Sequence, residues 1–71
     1  MPDPGATIVL NKANAEISAA RRELKTLCAK WAEINKTAKD IARFDLCKAL
    51  VRRLEIAEEE ICELIDFAEE R

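Results

Sequence analysis

The stretch Ile34-Asn35-Lys36-Thr37-Ala38-Lys39-Asp40-Ile41 decides how this chain folds. Before it, apolar positions recur in steps of three and four through Leu10, Ala13, Ile17, Ala20, Leu24, Leu27, Trp31 and Ile34. That alternation is the seam of an amphipathic helix, and its frame extends formally to Ala38 and Ile41. After it, Cys47, Leu50, Leu54, Ala57, Ile61, Leu64 and Ala68 repeat the alternation in a different frame. Two frames require a break between them. Asn35 tolerates the left-handed conformation that ends helices, and Thr37 with Asp40 three residues on resembles a capping box, although Asp stands where Glu is the stronger partner. A turn at 35–37 leaves helices of about 29 and 33 residues, each about 45–50 Å long at ~1.5 Å per residue. Equal helices joined by a short polar connection predict an antiparallel two-helix hairpin. The alternatives are a break near 42–45 with Asp45 as cap, and one continuous helix carrying a three-residue shift of frame.

The composition agrees with an all-α fold. The 71 residues are 49% hydrophobic and 37% charged, with one Gly, two Pro and three aromatics, too few turn residues for a multi-stranded sheet. Both prolines and the glycine fall in residues 1–6, read as an irregular N-terminal arm, with residues 7–71 as a single helical-hairpin domain. The apolar run Ala6 to Leu10 is broken by Thr7 and is too short for a signal peptide or a membrane span.

One hairpin buries one stripe of each helix, and the second helix has more apolar surface than a stripe uses. Phe44, Val51 and Ile65 flank its seam on one side, Leu46 and Phe67 on the other. Three or more apolar positions per heptad belong to a bundle. The pattern therefore predicts a homodimeric four-helix bundle whose interior holds Leu24, Leu27, Trp31, Leu50, Leu54, Ile61 and Leu64.

Much chemistry is excluded by what is missing. With no His, the chain has no His general base and no His metal ligand, and its single Gly leaves no phosphate-cradling loop. Ser18 and Thr26 have no identifiable base, and the carboxylates lie on solvated helical faces. The expectation is a non-enzyme without cofactor or metal. Cys28, Cys47 and Cys62 are odd in number, form no C-x-x-C and have apolar neighbours, which argues against a disulfide framework or a zinc site. They read as reduced thiols filling space as small hydrophobes, in a cytoplasmic setting.

The net charge of −2 is unevenly spread. Residues 12–53 carry eleven basic and five acidic side chains, whereas residues 54–71 carry eight acids and Arg71. Within the acidic segment, Ile56, Glu60, Glu63 and Phe67 follow steps of four, three and four and so share one stripe, facing away from the hairpin seam. Apolar residues among acids on an outward face suit contact with a protein partner. The leading expectation is thus a small interaction protein that binds itself and regulates a larger protein, of accessory or anti-factor type. The alternatives are a nucleic-acid-binding regulator using a basic surface at Lys48, Arg52 and Arg53, and a helical assembly subunit.

Overall fold

The computed structural model describes residues 3–34 and 36–70. Helix α1 spans Pro4–Glu33 and helix α2 spans Ala38–Glu70. They lie side by side and antiparallel, forming a rod of 55 × 14 × 12 Å. This is the all-α hairpin expected from the change of frame, with the turn at the earlier of the two sites considered.

Both helix starts follow from side-chain chemistry. Asp3 caps α1: its Oδ1 accepts from the Ala6 N–H at 3.1 Å and its carbonyl accepts from the Thr7 N–H at 3.0 Å. Pro4 occupies the first helical position, where a missing N–H costs nothing. The helix therefore begins at Pro4, and residues 4–6 of the expected irregular arm are helical; Met1 and Pro2 lie outside the described residues. At the start of α2 the capping box is fully reciprocal. The Asp40 N–H donates to Thr37 Oγ1 at 3.1 Å, and the Thr37 N–H donates to Asp40 Oδ2 at 3.1 Å. The shorter Asp side chain closes the box that Glu commonly closes. Asn35, expected to end α1 in a left-handed conformation, lies outside the described residues.

At the open end the Asp3 N–H donates to the Ala68 carbonyl at 3.1 Å. This backbone hydrogen bond joins the first turn of α1 to the last turns of α2.

The seam of α1 is the expected one. Leu10, Ala13, Ile17, Ala20, Leu24, Leu27 and Trp31 are all half-buried. The seam of α2 is rotated from its expected frame. Phe44, Cys47, Val51, Leu54, Glu58, Ile61, Ile65 and Ala68 face α1, whereas Leu50 and Leu64 are 39% and 52% exposed. Val51 and Ile65, read as flanking residues, thus lie at the contact. The rotation brings Glu58 against Arg21 of α1, where the two form a part-buried ion pair. The packed interior is thin. Among the described residues Cys47, Val51 and Ala68 are the buried apolar ones, and none of them lies on α1.

Candidate interaction surfaces

The rotation gives the rod two unlike faces. On one, a shallow groove of about 180 Å³ is bordered by Leu24, Leu27 and Trp31 of α1 and by Leu46 and Leu50 of α2. Cys47 and Arg43 complete its lining. At 100° per residue, Leu46, Leu50, Ala57 and Leu64 fall within about 40° of one another on α2. The apolar face therefore continues from the groove toward the open end. Of the residues expected inside a bundle, Leu24, Leu27, Trp31, Leu54 and Ile61 are half-buried along the hairpin contact, while Leu50 and Leu64 stand on this open apolar face.

The opposite face is charged. Arg21 and Glu58 bridge the helices there, each side chain 22% exposed. Arg52 Nη1 lies 3.5 Å from Glu55 Oε2 one turn along, and Lys48 Nζ sits 5.3 Å from the centre of the Phe44 ring. A groove here is lined by Lys25, Cys28, Lys48, Val51, Arg52 and Glu55. The structure thus brings Lys48 and Arg52 of the expected basic surface together. Arg53, about 100° further round the helix, is not part of that groove.

The stripe of Ile56, Glu60, Glu63 and Phe67 lies on the back of α2. All four side chains are exposed, Ile56 at 40% and Phe67 at 53%. By helical geometry they span about 60° of arc, centred on the direction opposite α1. A partner covering the apolar face would meet this stripe first at its Glu60 edge.

The thiols occupy three environments. Cys47 is buried, Cys28 is half-buried and Cys62 is exposed; Cys62 does not fill interior space as the sequence suggested. Contact with Cys28, reinforced by burial, pushes the Cys47 thiol up to about 11. Among the described residues no three His, Cys, Asp or Glu side chains converge in a way that could hold a metal ion, and no helix is long and apolar enough to cross a membrane.

Three features escaped the sequence reading: the Arg21–Glu58 pair, the Cys28–Cys47 contact and the place of Val51 in the seam. A signal for the first was present. An alternative three-four frame runs from Phe44 to Ala68 with Glu58 as its only charged member, and a charge at a seam position calls for a partner across it. No protein-family model, curated protein or solved structure matches the chain.

Proposed function

We propose that this protein is a non-catalytic helical interaction module that acts in the cytoplasm as a homodimer and regulates a larger protein by binding it. The observation that carries the reading is the separation of two exposed apolar surfaces. The groove face at Leu24, Leu27, Trp31, Leu46 and Leu50 offers a site for self-association. The stripe at Ile56, Glu60, Glu63 and Phe67 points away from α1 and stays accessible for a second contact. On that stripe the two apolar side chains supply retained affinity, while the acids speed encounter with a basic target and set its orientation.

Affinity capture from the native host, with wild type and stripe variants compared, tests this. Ile56→Glu and Phe67→Glu should abolish recovery of the partner while helicity and oligomer mass stay unchanged. A nucleic-acid regulator is the second reading, favoured by the groove that gathers Lys25, Lys48 and Arg52. The Glu55 carboxylate beside Arg52 weakens it. If Arg52→Glu with Arg53→Glu removes the bound target and the stripe variants do not, the basic surface is the functional one. Retention on RNA or DNA that falls steeply with salt would then identify the target class.

A further inference from the structure

Three properties of the apolar face point to its occupant. The first is area. The chain exposes 5444 Å², whereas a compact monomer of its 8.0 kDa exposes about 4450 Å². The excess, about 1000 Å², is close to the roughly 800 Å² that each partner contributes to a standard protein interface. The second is charge. The half of the rod nearest the turn, residues 22–53, carries nine basic and four acidic side chains; the open half carries three basic and ten acidic. The third is side-chain size. Near the turn the face is built from Leu24, Leu27, Trp31, Leu46 and Leu50. Toward the open end small side chains separate the large ones, with Ala13, Ala20 and Ala57 interspersed among Val9, Ile17 and Leu64.

From these we infer that the apolar face is covered by a second copy of the chain lying head to tail, with the two turns at opposite ends of a four-helix bundle. The inference rests on the proposed self-association and adds its face, register and polarity. A symmetric pair can be made in two ways. With both turns at one end, two basic halves meet, two acidic halves meet, and the thick ends of the tapered faces collide. With the turns at opposite ends, each basic half lies on an acidic half and each thick end on a thin one. Charge complementarity and interdigitation of large with small side chains both select the second. The two-fold axis then crosses the rod at its middle, so α1 packs on the partner's α1 and α2 on the partner's α2. Centred on the helix midpoints, Leu24 falls opposite the partner's Ala13, and Leu50 falls within one residue of the partner's Ala57.

The purified chain alone tests this, so the result is independent of any larger partner. Light scattering should give twice the chain mass. For orientation, a nitroxide is placed at Lys36→Cys after Cys28→Ala, Cys47→Ala and Cys62→Ser, and the distance between labels is read by double electron–electron resonance. Head-to-tail pairing in a rod 55 Å long puts the labels about 50 Å apart; turns at one end put them within about 25 Å, given helix spacings of about 10 Å. The unmodified protein supplies a second measurement should the cysteine replacements prevent folding. Carbodiimide coupling in a mixture of ¹⁴N and ¹⁵N protein should give mixed-isotope links joining Lys36, Lys39 or Lys48 to acids in 58–70. A separation below 25 Å, or mixed links confined to one half of the rod, overturns the orientation. A monomer by light scattering overturns the dimer itself and leaves the stripe to be judged by its own variants.

Discussion

Cys28 Sγ and Cys47 Sγ lie 2.7 Å apart across the two helices, and both residues are free thiols. Cys28 donates to Cys47, and Cys47 in turn donates to the Leu24 carbonyl at 3.6 Å. This places two oxidisable sulfurs in contact while the third, Cys62, stands apart and exposed. Diamide should therefore join Cys28 to Cys47 within one chain, the diazene taking up two electrons and two protons. Peptide mapping without reductant checks this. Exclusive cross-linking of chains through Cys62 would falsify it.

The same contact sets an alkaline limit. The Cys47 thiol is raised from 9.0 to about 11, so the folded state holds its proton more tightly than the unfolded chain does. The stabilisation is fully present below pH 9 and is lost as pH rises through 11. At neutral pH, iodoacetamide should modify Cys62 first and Cys47 last, because the thiolate is the reacting form. Timed alkylation followed by mass spectrometry reads the order.

At the acidic end of the scale the capping box responds. Hydrogen bonds from the Thr37 backbone and hydroxyl, with the positive charge of Arg43 behind them, hold the Asp40 carboxyl below its ordinary 3.8. Its contribution is present above that value and is lost as pH falls below it. Asp40→Asn should flatten this part of the stability profile. Thr37→Ala should cost about 1 kcal/mol at neutral pH, read by thermal unfolding at fixed protein concentration.

Arg21 and Glu58 make the inter-helix ion pair, and each is partly shielded from water. Either residue changed to Ala should cost about 1 kcal/mol, and the double change should cost less than the sum. Strong salt should shrink the coupling. Denaturant unfolding of the four proteins in the cycle gives the value.

Asn14 Oδ1 is buried and accepts no hydrogen bond among the described residues. An orphaned buried acceptor costs ~1–3 kcal/mol. Asn14→Ala removes it and improves helix propensity, so this substitution should raise stability by about 1 kcal/mol. Asn14→Asp should lower it. Thermal melts at matched concentration separate the two.

The hairpin was legible in the sequence because a change of heptad frame and a capping pair are local signals. Leu24 and Trp31 marked one frame, Leu54 and Ala68 the other, and Thr37 with Asp40 marked the joint. The rotation of α2 was not legible. Its wide apolar surface supports two seams that share Cys47, Leu54, Ile61 and Ala68 and differ at Leu50 or Val51, Ala57 or Glu58, and Leu64 or Ile65. Hydropathy favours the first member of the Ala57–Glu58 choice. A long-range ion pair to Arg21, invisible to periodicity, accompanies the second. The helix start differs from the expected one because Pro and Gly in residues 1–6 mark an irregular arm by composition, whereas Pro4 is well suited to a first turn capped by Asp3. The outward stripe was legible because Ile56, Glu60, Glu63 and Phe67 share one arc about 60° wide, which lies opposite the observed seam and about 60° from the back of the expected one.

Among the described residues only Cys47, Val51 and Ala68 lie in the interior of the hairpin, and that thinness has a consequence for amide hydrogen exchange. A two-helix rod with so little interior has nothing of its own to hold its amides closed for long. Slow exchange in the helices would therefore arise from outside the hairpin. Amides under Leu24, Trp31 and Leu50 should gain protection as protein concentration rises. Those beneath Ile56 and Glu63 should gain it when a larger protein is added, so an exchange map recorded across a dilution series locates each covering surface without a substitution in the chain.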